Sequence, residues 1–181
     1  MFTKTDKIVI TGATGFVGSH ILRHLIEKGY SNLFALKRPD SLMGLVEDIV
    51  DQVVWVDGDI LDIQSLEDLC ENANGMIHSA AKVSYNPKDK DEVLSVNVEG
   101  TANVVNVCLA KNVNKLIHIS SVAALGRSQP EKWIDEQTEW TDDYDSTNYG
   151  LSKHLAELEI WRGMNEGLDV GILNPSMILG P

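Results

Sequence analysis

The chain of 181 residues carries only two cysteines, Cys70 and Cys108. They fit no C-x-x-C spacing, which excludes a disulfide framework and a thiolate metal site. Each falls in an apolar helical pattern and reads as a buried free thiol. Histidine is also scarce, and none of the five has ligand spacing with Cys, Asp or Glu, so no metal site is expected. Positive charge is short: 15 Lys and Arg stand against 27 Asp and Glu, a net charge of −12. Such a surface repels phosphate backbones and speaks against nucleic acid or an anionic membrane as a partner. A local basic pocket for one phosphate remains compatible with it. Long uncharged runs are missing too. Leu116–Gly126 falls well short of the ~18 apolar residues of a membrane span, and Met1–Asp6 is polar, without a secretory apolar region. A cytoplasmic location is expected. What remains is ordinary globular composition, 43% hydrophobic and 23% charged, in a length that suits one domain.

Short β-rich runs alternate with longer helical ones. Strands are expected at Lys7–Thr11, Leu33–Lys37, Val53–Asp57, Gly75–Ser79, Leu116–Ser120 and Val170–Leu173. Helices are expected at Phe16–Lys28, stopped by Gly29, then more weakly at Leu42–Val50, and at Ile63–Glu71, Asp89–Lys111 and Tyr149–Asn165. A polar, acidic loop covers Arg127–Asn148. Its acids Asp135, Glu136, Glu139, Asp142, Asp143 and Asp145 read as a solvated loop, and its position also suits a lid; Trp133 and Trp140 are candidate anchors for it, with simple loop packing the better reading. The alternation implies parallel pairing with right-handed crossovers, hence an α/β fold with a doubly wound parallel sheet.

Between the first strand and first helix lies Thr11-Gly12-Ala13-Thr14-Gly15-Phe16-Val17-Gly18. Glycines there permit a sharp turn, close approach of backbone to a pyrophosphate, and helix–strand packing. The N–H groups and dipole of the helix start favour the anion. The spacing, G-x-x-G-x-x-G, is one residue longer than the common fingerprint, yet its βαβ setting points to a dinucleotide. The second strand ends Lys37-Arg38, where an NAD site would carry an acid. A guanidinium pairs with a 2′-phosphate, so NADP(H) is expected over NAD(H); the other reading is two solvated charges at a strand end. Asp59, followed by Ile60, either accepts a hydrogen bond from an adenine amino group or serves as a turn aspartate.

Tyr149-Gly150-Leu151-Ser152-Lys153 is Y-x-x-x-K at a helix start, which places phenol and ammonium on one face. An ammonium beside the phenol stabilises tyrosinate. Drawing a tyrosine from pKa 10 to about 7 takes around 4 kcal/mol. By itself the spacing also describes an amphipathic helix. Ser120 and Ser121 close the fifth strand, at the end that lines the crevice of such sheets. Ser121 is read as binding a substrate carbonyl oxygen, Ser120 as a strand-end residue paired to backbone. Asn97 sits mid-helix, where asparagine is a poor fit. It is either a link behind the lysine or a tolerated polar residue.

Taken together, T-G-A-T-G-F-V-G, G-D-I-L-D, H-S-A-A, N-V-E-G-T, I-S-S-V-A-A-L-G, Y-G-L-S-K and N-P-S-M-I-L-G-P resemble, in order and spacing, the extended short-chain dehydrogenase/reductase family. The resemblance implies an NAD(P)-binding Rossmann domain over 1–181 and a Ser-Tyr-Lys triad of Ser121, Tyr149 and Lys153 with Asn97 as its fourth member. It implies adenine contact by Asp59 and Ile60, backbone contact at Ala80 and Ala81, and nicotinamide contact at Pro175 and Ser176. The branch most similar is that of dihydroflavonol and cinnamoyl-CoA reductases. Sugar-nucleotide dehydratases of the family carry an Asp-Glu pair where this chain has Val122 and Ala123, and Leu125 replaces a tyrosine common in epimerases. Family members continue for a hundred or more residues into a substrate domain, so the chain is expected to be truncated. The implied activity is NADPH-dependent reduction of a small-molecule carbonyl. The alternatives are nucleotide-sugar epimerisation on bound NAD, or a redox-sensing nucleotide binder. A homodimer through the helices Asp89–Lys111 and Tyr149–Asn165 is a further implication.

Overall fold

The computed structural model describes residues 2–125, 134–138, 140 and 147–180. Of the expected loop, Trp133, Glu139, Asp142, Asp143 and Asp145 lie outside the described residues. Six strands, β1 (Ile8–Thr11), β2 (Leu33–Lys37), β3 (Val54–Asp57), β4 (Gly75–His78), β5 (Lys115–Ile119) and β6 (Asp169–Leu173), form one sheet in the order β3-β2-β1-β4-β5-β6. Every neighbouring pair is parallel, as the alternation of strands and helices requires.

Alternate residues of a strand face opposite sides, and β1 divides accordingly. Ile8 and Ile10 join Leu22, Leu33 and Ile77 on the side of α1 (Phe16–Glu27). Val9 joins Leu66, Met76, Val104, Leu116 and Ile160 on the other side. That second side carries α2 (Ile63–Cys70), α4 (Gly100–Ala110) and α5 (Asn148–Asn165). Each fully buried aliphatic contributes roughly 1.5–3 kcal/mol of transfer free energy. The expected free thiols Cys70 and Cys108 are both buried there.

Helix ends follow local chemistry. After α1, Gly29 takes φ +81°, with its N–H on the Ile26 carbonyl and that of Tyr30 on Leu25. Asp62 caps α2 by accepting from the Gln64 N–H, and Thr147 caps α5 by accepting from Gly150. The expected helix Leu42–Val50 is instead a 3₁₀ segment, Glu47–Gln52. Its buried Ile49 and the buried Val46 that caps it are three apart, the period that a 3₁₀ turn aligns. The expected helix Asp89–Lys111 is a run of unlike pieces: a 3₁₀ turn, Pro87–Asp89, then α3 (Lys90–Leu94), a π-helical turn, Ser95–Glu99, and α4. This run, Pro87–Ala110, is long and apolar enough by composition to cross a membrane. Here it is a core helix, with Val104, Val105, Val107 and Cys108 buried against the sheet.

Candidate active site

Strand order reverses between β1 and β4, and a crevice of about 500 Å³ opens at the carboxyl ends of the strands there. Gly12 turns the chain with φ +73°, and a Cβ on it would lie 2.5 Å from the Ala80 nitrogen. A Cβ on Gly18 would run into the Gly12 carbonyl. Both glycines are thus required by contact as well as by turning. Gly15 caps α1 without a side chain, and the first turn holds no acid. Its N–H groups and dipole therefore suit an anion.

Of the residues expected to hold a dinucleotide, Gly12, Thr14, Gly15, Lys37, Arg38, Asp59, Ile60, Ala80 and Ala81 all line this crevice. Phe16, Val17 and Gly18 stand behind it in α1. Pro175 and Ser176 lie beyond it, in the segment that leaves β6. That segment is tied to the Ser121 loop, because the Val122 N–H donates to the Pro175 carbonyl at 3.1 Å. It then returns over α1, where Gly180 rests on the Phe16 ring. The two basic residues differ in availability. Lys37 is ion-paired to Asp57, whereas the Arg38 side chain is 61% exposed and only loosely paired to Asp40, at 3.5 Å. Asp59 has one oxygen committed to the Leu61 N–H at 2.9 Å, the turn role weighed beside its adenine role. Ile60 packs its tip into Gly100 of α4 and is buried, so it forms a wall of the crevice more than a lid over a ring. Sequence reading missed Ser41, Lys82, Val83, Glu92 and Val96, which also line it. The Lys82–Glu92 ion pair joins residues ten apart, with no short motif to announce it.

The catalytic candidates stand farther along the sheet. Ser121 follows β5 and caps a short 3₁₀ turn, Val122–Ala124, by accepting from the Ala123 N–H at 3.1 Å. Gly150, next to Tyr149, packs against the Ala123 carbonyl of that turn, and the Tyr85 ring lies edge-on to Tyr149 at 5.9 Å. Burial pushes the Tyr149 phenol above its ordinary pKa; the Ser121 contact draws it down and Tyr85 pushes it up. The expected acidification by Lys153 is therefore not found. Lys153 is 2% exposed, and its ammonium donates to the Ile119 carbonyl at 2.8 Å and meets His118 Nε2 at 3.3 Å. Burial lowers its pKa to about 8, against the raising influence of Glu157.

Asn97 lies in the π turn, and its purpose is a backbone link. Its Oδ1 accepts from the Lys82 N–H at 2.7 Å, while Nδ2 donates to the Lys82 carbonyl and to Ser152 Oγ. It thereby joins the crevice wall to α5, one residue before Lys153. Ser120 is not paired to backbone through its hydroxyl; it donates to the Glu157 carboxylate. Among the expected lid anchors, Trp140 stacks on His154 with ring centroids 4.3 Å apart.

His78 and His118 are both buried and lie side by side at 5.1 Å between ring centroids. Thr101 donates to the Asn97 carbonyl at 2.6 Å, so its oxygen must accept from His78 Nε2–H at 3.0 Å. His78 Nδ1 then accepts from the Thr11 hydroxyl at 2.7 Å, and Thr11 accepts from the Ala80 N–H at 3.4 Å. A single-sense chain of hydrogen bonds thus runs from Ala80 to the π turn. His118 is less well served, since its Nδ1 has no partner among the described residues. No cluster of metal ligands occurs among the described residues.

Comparison with known proteins agrees with this geometry. Cinnamoyl-CoA reductase 1 of Petunia hybrida is 30% identical over 186 residues, covering 96% of this chain and 55% of that one. A short-chain dehydrogenase/reductase superfamily protein of Agrobacterium tumefaciens, solved with bound NAD, has 26% identity and a TM-score of 0.78, covering 92% of this chain and 48% of that one. The dTDP-glucose 4,6-dehydratase of Streptomyces venezuelae, solved with NAD, shares the fold at 22% identity and a TM-score of 0.80, covering 91% of this chain and 54% of that one. The chain spans about half the length of the curated relatives it matches. The family model described as NAD dependent epimerase/dehydratase matches residues 8–181. With a parallel sheet in Rossmann order, a glycine-lined crevice at its switch point and that match, the chain belongs to the NAD dependent epimerase/dehydratase family, the extended short-chain dehydrogenases/reductases, whose members are NAD(P)-dependent enzymes.

Proposed function

We propose that this chain is the nucleotide-binding half of a reductase that turns a small-molecule carbonyl into an alcohol, with NADP(H) preferred. The observation that carries the reading is the packing of the start of α5, which bears Tyr149, on the Ser121 turn at the carboxyl end of β5. Two hydroxyls at that place can share one substrate oxygen. Ser121 donates to it, and Tyr149 donates as the oxygen gains charge. Burial keeps the Tyr149 proton in place at neutral pH, as a proton donor in the reductive direction requires. Lys153 keeps its positive charge below about pH 8, one helical turn along α5 from Tyr149. The crevice lined by Gly12, Gly15, Asp59 and Ala80 would hold a nicotinamide dinucleotide, which would supply the hydride. The exposed Arg38 guanidinium at the end of β2 supports recognition of a 2′-phosphate. Tyr149→Phe is expected to abolish turnover in a screen of aldehydes and ketones with NADPH, while NADPH still binds. Retained turnover refutes the mechanism.

A second reading is in keeping with the match to the NAD dependent epimerase/dehydratase family model: epimerisation of a nucleotide sugar, in which the same tyrosine removes and returns a proton and the nicotinamide is not consumed. Net oxidation of added NADPH supports the first reading. Conversion of a sugar nucleotide without net cofactor change supports the second.

A further inference from the structure

A buried carboxylate is costly unless several groups share its charge, and Glu157 of α5 is 8% exposed. Its Oε1 accepts from the Ser120 hydroxyl and, at 2.6 Å, from Asn174 Nδ2. The same Asn174 amide donates to the Ser121 carbonyl at 3.1 Å. Ser120 closes β5 and Asn174 follows β6, so one oxygen gathers the two strand ends that flank the candidate triad. Glu157 also stands four residues after Lys153, on the same face of α5. We propose that Glu157 is a positioning residue: it fixes the Ser121 loop through Ser120 and Asn174 and holds the positive charge of Lys153.

The groups facing the Lys153 ammonium support this assignment. β5 offers the Ile119 carbonyl and the neutral imidazole of His118, and β4 offers His78. From α5 comes Glu157, and the π turn brings uncharged Asn97 to Ser152. Glu157 is the group that raises the Lys153 pKa against burial. Without its charge, Lys153 would lose its proton at lower pH. For catalysis, the inference rests on the triad reading proposed above.

The test reads the lysine directly. The pH titration of the Lys153 13Cε resonance, assigned by its loss in Lys153→Arg, is followed in the wild type and in Glu157→Gln. The amide of Gln keeps an oxygen for Ser120 and Asn174 and removes only the charge. The midpoint is expected to fall by roughly one pH unit. Glu157→Asp keeps the charge but withdraws it by one methylene, and serves if the Gln variant does not fold. A smaller fall is expected there. A midpoint that stays at or above the wild-type value overturns the proposal. In turnover assays, the alkaline limb of the kcat profile of Glu157→Gln is expected to move to lower pH. The KM for cofactor should change less than about threefold. An unmoved limb removes the catalytic part of the proposal. The titration decides the role of Glu157 whether or not the wild type turns over a substrate of the screen.

Discussion

Acidification should loosen this fold through His78. The ring has no exposed surface. Burial, with the nearby charge of Lys153, lowers its pKa from 6.5 to about 3. Its single-sense chain between Thr11 and Thr101 also calls for the neutral ring. The unfolded chain therefore takes up a proton as pH falls below 6.5, and the folded chain does not until about pH 3. Stability is full above pH 6.5 and declines through that window, by about 1.4 kcal/mol for each pH unit. By pH 5 the loss from His78 is about 2 kcal/mol, and His118, lowered by burial in the same direction, adds to it. Against a typical 5–15 kcal/mol of total stability this is large. Urea unfolding followed by tryptophan fluorescence at pH 7.5 and pH 5 measures it. With a slope near ~2 kcal/mol per molar urea, His78 accounts for about 1 M of the fall in midpoint. In His78→Gln that part of the fall should vanish, whatever the variant's stability at pH 7.5. An equal pH dependence in wild type and variant refutes the buried neutral imidazole.

Other outcomes follow from the crevice. Arg38→Ala should weaken NADPH binding by about 1.5–3 kcal/mol, the range of a hydrogen bond to a charged group, and leave NADH affinity nearly unchanged; paired titrations by cofactor fluorescence decide it, and an unmoved ratio refutes the 2′-phosphate assignment. Gly18→Ala should abolish dinucleotide binding in calorimetry, because a Cβ there meets the Gly12 carbonyl and the turn must open; normal affinity refutes the role of that contact. Gly100→Ala should lower the thermal midpoint, since its Cβ would stand 2.5 Å from the Ile60 tip; overpacking of this kind costs about 1–3 kcal/mol, and an unchanged midpoint counts against it.

The sheet and the glycine turn were legible in the sequence for local reasons. Runs such as Ile8–Thr11 and Gly75–His78 are short, apolar and followed by turn residues, and G-x-x-G-x-x-G has one plain use between a strand and a helix. The 3₁₀ segment at Glu47–Gln52 was misread as an α-helix because two inward residues three apart suit both. The site was legible in its members and not in its wiring. Lys153 was expected to act on Tyr149, four residues away, yet its nearest partners are His118 and Ile119, more than thirty residues back in the chain. Ser120 and Glu157 are 37 residues apart, and Thr11 and His78 are 67 apart. Thr11 and His78 meet because β1 and β4 lie side by side, and the other pairs because α5 packs over the end of β5; no periodicity within either partner's own segment announces them.

The π turn at Ser95–Glu99 amounts to a helix carrying one surplus residue. Each residue of an α-helix rotates the chain by about 100°, so the surplus sets α3 and α4 out of phase by roughly that angle. Deleting one residue from this turn would let the two segments merge into a single unbroken helix, at little expense in backbone bonding. It would also swing Asn97 away from Lys82, parting the crevice wall from α5. The irregularity is thus a hinge-pin of the architecture: a smoother helix would be the easier one to build, and the wrong one.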